Sequence, residues 1–186
     1  MRVIAGTLGG RRLKAPRGRG TRPTADRVRE ALFSMLGEIG GARVLDVFAG
    51  TGALGIEALS RGAATAVFVE RDARAAAVLR ENLDSLGLAA GRAELRRGEA
   101  LRTLRTARER GELYDLVLID PPYGDAARLG EKLTALLAPL LAPGARVASE
   151  SDRRTPLDLD LQVATERRYG DTSITISNPW PDPSAR

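Results

Sequence analysis

The sequence predicts an α/β fold in which five parallel strands carry helices on both faces and an antiparallel hairpin closes one end. From residue 43 onward, short apolar runs alternate with longer amphipathic stretches, as in parallel sheets whose connections are helices. The last section differs: the stretches at residues 161–165, 167–171 and 172–176 favour an antiparallel hairpin that turns at Gly170 and Asp171. With 186 residues, 43% of them apolar, the chain suffices for one domain with a real core.

The individual elements follow from periodicity and from residues that start or stop them. Residues 2–6 and 11–15 are predicted to form two short strands of a basic hairpin that turns at Gly9 and Gly10. Thr24 suits the N-cap of a helix that Gly37 ends. Strands are predicted at residues 43–47, 65–69, 92–96, 115–119 and 145–148, and helices at residues 53–61, 72–86, 100–110 and 125–138. We expect a basic arm over residues 1–23, the main domain over residues 24–178 and a frayed tail over residues 179–186.

Residue types that are missing exclude several kinds of chemistry. The sequence has no Cys and no His, which excludes disulfides, thiol catalysis, Ser-His-Asp triads and most transition-metal sites. No apolar run approaches the roughly 18 residues that would span a bilayer, and the first residues lack a signal-peptide pattern. We therefore expect a soluble, cytoplasmic protein without a metal, whose chemistry uses carboxylates, hydroxyls, the backbone and a cofactor.

Positive charge is concentrated at the N-terminus. Residues 1–29 hold nine basic residues against the single acid Asp26, which gives this segment a net charge of +8. Because the whole chain has a net charge of +5, the remaining residues together carry −3. A basic arm on a mildly acidic body indicates a polyanion partner. Arginine-rich usage through base composition or heat tolerance is the alternative for the total, but it does not explain the asymmetry.

A glycine-rich turn follows the first strand at residues 43–47. Gly50, Gly52 and Gly55 satisfy the spacing G-x-G-x-x-G, and Glu70 lies 20 residues beyond the first of them, at the end of the next strand. NAD enzymes and S-adenosylmethionine (SAM) enzymes both use this arrangement, because both hold an adenosine at the carboxyl edge of a sheet. By itself the turn leaves both cofactors open.

Two details of the turn favour SAM. Asp46 lies just inside the strand end, where a carboxylate suits the positively charged amino-acid end of SAM and would repel a pyrophosphate. The turn also begins with Phe48 and Ala49, whereas a dinucleotide turn normally runs from the strand directly into its first glycine. An NAD-dependent oxidoreductase remains the alternative from another class, although it leaves Asp46 unexplained.

The strand at residues 115–119 delivers Asp120, Pro121, Pro122 and Tyr123 to the same sheet edge. This order matches the Asp-Pro-Pro-Tyr signature of amino methyltransferases, which methylate exocyclic NH2 groups of nucleobases. The Asp120 carboxylate and the Pro121 carbonyl can each accept a hydrogen bond from the amine, which frees its lone pair, and Pro122 stiffens the backbone. Tyr123 offers a ring on which a flipped-out base can stack. The motif predicts an exocyclic amine as acceptor and leaves adenine, cytosine and guanine open.

Nearly the whole chain resembles the small bacterial 16S rRNA guanine-N2 methyltransferases of the RsmD type. The resemblance rests on residues 2–6 with 10–13, on residues 46–55 and on residues 120–123; most specifically it rests on residues 21–33, which general SAM enzymes lack. It implies a Rossmann-like methyltransferase sheet, mostly parallel, with a small N-terminal basic hairpin. It also implies methylation of one guanine of 16S rRNA in the small ribosomal subunit or an assembly intermediate, leaving S-adenosylhomocysteine as the product.

The expected site residues fall into three groups. The catalytic group is Asp120, Pro121, Pro122 and Tyr123. The cofactor group is Asp46, Phe48, Ala49, Gly50, Thr51, Gly52, Glu70, Arg71, Glu99 and Ala100, with Thr24 added because in related enzymes that helix start borders the methionine end. The RNA-binding group is Arg11, Arg12, Lys14, Arg17, Arg19 and Arg22. An adenine-N6 methyltransferase acting on DNA or RNA is the alternative within the class, and a nucleic-acid-binding module with a decayed site is disfavoured by Asp120.

Overall fold

A computed structural model describes residues 1–15, 23–88, 91–122 and 126–178, with only the backbone at residues 23–25 and 126–128. Within these residues the strands are β1 (Arg43–Asp46), β2 (Thr65–Glu70), β3 (Ala93–Arg97), β4 (Tyr114–Ile119), β5 (Leu141–Asp152), β6 (Gln162–Tyr169) and β7 (Thr172–Asn178). They form one sheet in the order β3-β2-β1-β4-β5-β7-β6. The first five are parallel, whereas β7 runs antiparallel to both β5 and β6. The prediction of a parallel sheet with an antiparallel hairpin at one end is confirmed.

Helices cover both faces of the sheet. They are α1 (Pro23–Leu36), α2 (Ala53–Ser60), α3 (Ala73–Ser85), α4 (Ala100–Glu109) and α5 (Ala126–Leu137), which a 3-10 turn at Ala138–Leu140 extends. The α1 face is the side of the sheet on which apolar side chains of α1, α2 and α3 pack against even-numbered strand residues such as Val44, Phe68 and Leu118. On the opposite side, α4 and α5 pack against odd-numbered residues such as Leu45 and Val117. This alternation follows from the period of two in a strand.

Three predicted boundaries were wrong in detail. Helix α1 begins at Pro23, so Thr24 lies in its first turn and is not the N-cap; Pro is favoured at a first helical position because its missing N–H has no partner there anyway. Strand β5 spans residues 141–152 instead of 145–148. The N-terminal hairpin has one isolated bridge, between Arg2 and Arg12, in place of two strands. Its intervening residues turn, and the amide of Thr7 donates to the carbonyl of Ser60 in α2 instead of to a hairpin partner.

A buried carboxylate attaches the N-terminal segment, residues 1–15, to the core. Glu57 of α2 is fully buried and accepts hydrogen bonds from the amides of Ile4 and Ala5 at 2.7 and 3.0 Å. The Nε of Arg61 lies 2.8 Å from the same carboxylate, and the Nε of Arg29 lies 3.8 Å from it. A carboxylate taken out of water needs such partners, because its desolvation costs several kcal/mol. The N-terminal segment is thus part of the folded core.

Candidate active site

Four carboxyl side chains lie at the carboxyl ends of four adjacent parallel strands, in the order β2, β1, β4, β5. Glu70 ends β2, Asp46 ends β1, Asp120 directly follows β4, and Glu150 lies near the end of β5. All four are even-numbered and continue the strand positions whose side chains face α1, α2 and α3. We call these four the carboxyl row.

The register of the strands sets the level of each member of the row. Asp46 pairs with Phe68 on one side and with Leu118 on the other, and Leu118 pairs with Ala148. Two residues further along the chain, Glu70, Asp120 and Glu150 therefore reach one level, and Asp46 lies one step deeper. Neighbouring members of the row also influence each other electrostatically. Asp120 and Glu70 raise the pKa of Asp46, and Asp120 raises the pKa of Glu150.

Asp46 is the deepest member of the row and is incompletely bonded. Its side chain is 1% exposed, and its Oδ2 accepts a hydrogen bond from the amide of Gly55 at 3.0 Å. Its Oδ1 is buried without a hydrogen-bond partner among the described residues. Burial is the main cause that raises the pKa of Asp46 to about 7, and Asp120 and Glu70 add to it. A positively charged hydrogen-bond donor next to this carboxyl would provide the partner that Oδ1 lacks and would stabilise the ionised form.

The glycine-rich turn is shaped by backbone hydrogen bonds to the carboxyl row. The amide of Gly50 donates to Oε2 of Glu70 at 2.7 Å, and the amide of Asp72 donates to its Oε1 at 2.6 Å. Gly50 and Gly52 have φ of 54° and 88°, a region that favours glycine. Among the described residues, a Cβ on Gly50 would meet nothing within 4 Å, whereas one on Gly55 would collide with the ring of Phe68. The turn therefore presents open space above Gly50 and a closely packed helix start behind it.

The residues predicted for the cofactor gather at the carboxyl ends of β1, β2 and β3. Asp46, Ala49, Gly52 and Ala100 are buried, Phe48, Gly50, Thr51 and Glu70 are half-buried, and Arg71 and Glu99 are exposed. The amide of Gly98 donates to the carbonyl of Glu70 at 3.0 Å, which joins the end of β3 to the end of β2. An elongated molecule with an adenosine at one end and a cationic group at the other fits this set. Two observations on the described residues support that fit: the buried Oδ1 of Asp46 has no hydrogen-bond partner among them, and none of them lies close to where a Cβ of Gly50 would be. The side chain of Thr24 lies outside the described residues.

The predicted catalytic motif directly follows β4, beside the glycine-rich turn. Asp120 and Pro122 are exposed and Pro121 is buried, while Tyr123 lies outside the described residues. Asp120 is exposed as a residue, yet the protein around its carboxyl displaces enough water to raise its pKa to about 6. Because β4 is hydrogen-bonded to β1, Asp120 and Asp46 end neighbouring strands.

Three of the predicted RNA-binding residues can be placed. Arg11, Arg12 and Lys14 are exposed. The Nη2 of Arg11 donates to the carbonyl of Ser85 at 3.2 Å, and Lys14 forms a solvent-exposed ion pair with Glu81 at 2.7 Å. Exposed pairs of this kind contribute little, about 0–1 kcal/mol, so both cations remain available to a stronger anion. Arg17, Arg19 and Arg22, like the tail at residues 179–186, lie outside the described residues.

A buried amide connects the N-terminal segment with the glycine-rich turn. Asn82 of α3 is 1% exposed. Its Oδ1 accepts from the amide of Lys14 at 2.8 Å, and its Nδ2 donates to the carbonyls of Lys14 and Thr51 at 3.2 and 3.0 Å. The basic segment and the turn therefore share one anchoring side chain, which brings the predicted RNA-binding and cofactor-binding surfaces next to each other.

The sequence analysis missed or misplaced two side chains near the candidate site. Glu150 was not singled out, although it lies near the carboxyl end of β5, beside the ends of the strands that carry Asp120 and Asp46. Arg29 was counted with the basic arm, but its side chain is only 4% exposed; it donates to Asp26 at 3.0 Å and to the carbonyl of Arg2 at 2.6 Å. Its charge is neutralised inside the protein, so it adds nothing to the exposed charge of the arm.

The described part of the chain contains no group of three or more acidic, His or Cys side chains arranged to hold a metal ion. In the same residues, no helix is both long enough and apolar enough to cross a bilayer.

Comparison with known proteins links this geometry to methyltransferases. A family model described as "Conserved hypothetical protein 95" matches residues 1–178. The chain is 40% identical over 185 residues to the Bacillus subtilis protein named "Putative rRNA methyltransferase YlbH", covering 95% of this chain and 97% of that protein. It is 37% identical over 160 residues to Ribosomal RNA small subunit methyltransferase D of Haemophilus influenzae, covering 84% of this chain and 81% of that protein.

Solved structures agree. "Putative methyltransferase yhhF" of Escherichia coli superposes with a TM-score of 0.80 at 36% identity, over 95% of this chain and 96% of that chain. An RNA methyltransferase from Salinibacter ruber, solved in complex with S-adenosyl-L-homocysteine, has a TM-score of 0.67 at 19% identity, over 89% and 97% of the two chains. At that identity the likeness concerns the fold.

Proposed function

The chain belongs to the Conserved hypothetical protein 95 family, and we propose that it transfers the methyl group of SAM to the exocyclic N2 amine of a guanine in 16S rRNA. The family resemblance drawn from the sequence is confirmed, and with it SAM-dependent methylation of the small-subunit rRNA. The alternative of an NAD-dependent oxidoreductase is wrong for a chain whose relatives are methyltransferases.

One observation carries the choice of an amine as acceptor: Asp120 and Pro121 directly follow β4, next to the buried Asp46 of β1. The lone pair of a nucleobase amine is delocalised into the ring, which makes the amine a poor nucleophile. When the Asp120 carboxylate and the Pro121 carbonyl accept its two N–H groups, the nitrogen becomes pyramidal and its lone pair is freed. Tyr123 would stack on the flipped-out base.

Different cofactor residues would contact different parts of SAM. Asp46 would neutralise the cationic amino-acid end, since its Oδ1 has no partner in the described protein. Glu70 already holds Gly50 and Asp72 through their amides, and the remaining lone pairs of its carboxylate would accept the ribose hydroxyls. Phe48, Thr51, Arg71, Glu99 and Ala100 would surround the rest. When bound, SAM supplies an electrophilic methyl group on a sulfonium.

The basic arm would orient the RNA. Arg11, Arg12 and Lys14 are exposed on a segment that Asn82 fixes to the glycine-rich turn, and Arg17, Arg19 and Arg22 follow them in sequence. Contacts of these side chains with phosphates fix the position of an RNA without reading its bases. The proposed partner is 16S rRNA, either within the small subunit or in an assembly intermediate.

Nucleoside analysis after incubation with labelled SAM tests this proposal. The purified protein is incubated with 16S rRNA and, separately, with small subunits from a strain that lacks the enzyme. The rRNA is then digested and its methylated nucleosides are identified by mass spectrometry, with Asp120→Ala, which lacks the acceptor, as the inactive control. We expect N2-methylguanosine from the wild type only. N6-methyladenosine would support the adenine alternative instead, and no transfer to either substrate would overturn the proposal.

A further inference from the structure

Glu150 is the member of the carboxyl row that the proposed function leaves without a role. The proposed roles of Glu70, Asp46 and Asp120 are the ribose, the cationic end of the cofactor and the target amine. Glu150 lies on β5, whose pairing with β4 puts Ile119 beside Ser149 and therefore Asp120 beside Glu150. Hydrogen-bonded strands are about 4.8 Å apart, so the two carboxyls are direct neighbours on one face.

The surroundings of Glu150 disfavour a second negative charge at this place. From β4 it faces Asp120, and from β7 its register partner is the buried, apolar Ile174. From α1, Arg29 acts on it favourably, but that guanidinium is already bound to Asp26 at 3.0 Å. Burial and the charge of Asp120 together raise the pKa of Glu150 to about 8.

Two neighbouring carboxyls in a confined site cannot both ionise easily, and they share one proton. Glu150 is half-buried and Asp120 is exposed, so the negative charge is better solvated on Asp120 and the proton is better placed on Glu150. We propose that Glu150 is a positioning residue that keeps this shared proton and donates it as a hydrogen bond to Asp120. One Asp120 oxygen is thereby fixed, and the other is left to accept the target amine.

The inference deepens the proposed function and rests on it for the reacting step. In that step the amine nitrogen forms a bond to the methyl carbon while the carbon–sulfur bond breaks and its electron pair stays on sulfur. The methylated nitrogen then gives one proton to the Asp120 carboxylate, which releases it to solvent. Glu150 keeps its own proton throughout, so the pair begins and ends each turnover with one negative charge.

A carboxyl titration without RNA tests the shared proton independently of the reaction. Protein labelled with ¹³C at the glutamate side-chain carboxyls is titrated by NMR, and the Glu150 signal is identified by its absence in Glu150→Gln. We expect Glu150 to titrate near pH 8 in the wild type and at a distinctly lower pH in Asp120→Asn, where the neighbouring charge is gone. The proposal would be overturned if the Glu150 signal titrates in the ordinary glutamate range, or if its titration midpoint is the same in Asp120→Asn as in the wild type.

The pH dependence of the single-turnover rate tests the positioning role. For the wild type we expect the rate to rise near pH 6, as Asp120 ionises, and to fall near pH 8, as Glu150 loses its proton. Glu150→Gln keeps a hydrogen-bond donor that cannot titrate, so it should retain the rate at pH 7 within about threefold and lose the alkaline fall. Glu150→Ala should be at least tenfold slower at every pH, with an unchanged affinity for SAM.

The exposed Glu109→Gln on α4 is the matched control and should behave as the wild type. An alkaline fall that persists in Glu150→Gln, or a wild-type rate in Glu150→Ala, would refute the positioning role. Failure of the proposed function can be distinguished from failure of this inference. In that case the wild type itself would form no N2-methylguanosine, but the NMR titration, which uses no RNA, would still show the shared proton.

Discussion

The buried carboxyl of Asp46 has a cost to stability that can be measured separately from its role in binding. Its pKa rises from 3.8 to about 7 on folding, so the unfolded chain ionises first as the pH increases. The folded protein therefore loses stability between about pH 4 and pH 7, and above pH 7 the loss is complete. At 1.36 kcal/mol per pH unit, this amounts to at most about 4 kcal/mol.

Replacing Asp46 with Asn should remove this cost. The amide oxygen can still accept the amide of Gly55, which now bonds to Oδ2 at 3.0 Å, and the side chain no longer ionises. At pH 8 and without cofactor, Asp46→Asn should thus be more stable than the wild type, by up to about 4 kcal/mol, or roughly 10 °C in Tm for a chain of this size. Near pH 4, where the wild-type carboxyl is protonated, the two proteins should melt within a few degrees of each other.

Thermal melting from pH 4 to pH 8, with and without SAM, measures both the destabilisation by the buried charge and its compensation by the cofactor. The wild type should gain stability from SAM at pH 8, because the cationic end of the cofactor compensates the buried charge. Asp46→Asn should gain little, because that compensation is lost. Two results would contradict this reasoning. Asp46→Asn could melt below the wild type at pH 8 without cofactor, which would mean that the buried charge does not destabilise the protein. It could also be stabilised by SAM as much as the wild type is, which would mean that the charge does not bind the cationic end of the cofactor.

Three further outcomes are expected. Asp120→Ala should lower the transfer rate by two to three decades, about 3–4 kcal/mol, while calorimetry shows SAM affinity nearly intact; a rate above a tenth of wild type would show that Asp120 is not the amine acceptor. Glu70→Ala should weaken both SAM and its demethylated product in the same titration, and equal affinities would contradict a role at the ribose. Replacing Arg11, Arg12 and Lys14 with Ala should reduce the log–log salt slope of RNA affinity by about 0.7 per lost phosphate contact; an unchanged slope with normal affinity would place recognition elsewhere.

The sequence predicted the sheet well because parallel strands between helices leave a strong periodic signal. It failed for β5 because Pro143 and Gly144 are ordinary strand breakers. In the structure they lie within the strand, where its pairing with β4 shifts register between Tyr114 and Leu116, and such an irregularity tolerates a proline.

The candidate site was predictable where a strand end coincides with a known motif, as at Asp46, Glu70 and Asp120. Glu150 lies near the end of β5 without such a motif, and its neighbour Asp120 becomes known only with the strand order β1-β4-β5, which the sequence does not contain. Arg29 was misplaced for a similar reason. A charged residue in a charge-rich helix is indistinguishable in sequence from its exposed neighbours until the acids that surround it are known.

The bonds of Glu57 to Ile4 and Ala5 restrict how the basic arm can be studied. Deleting the first residues to obtain an enzyme without its arm would remove two amide donors from a fully buried carboxylate. Losing a partner of a buried charge commonly costs about 3–5 kcal/mol, which is a large part of the stability of a domain. A truncated protein would therefore fail through misfolding and would carry no information on RNA. Substitution of the exposed basic side chains, with residues 1–5 kept intact, is the informative route, and expression tags are better placed at the C-terminus.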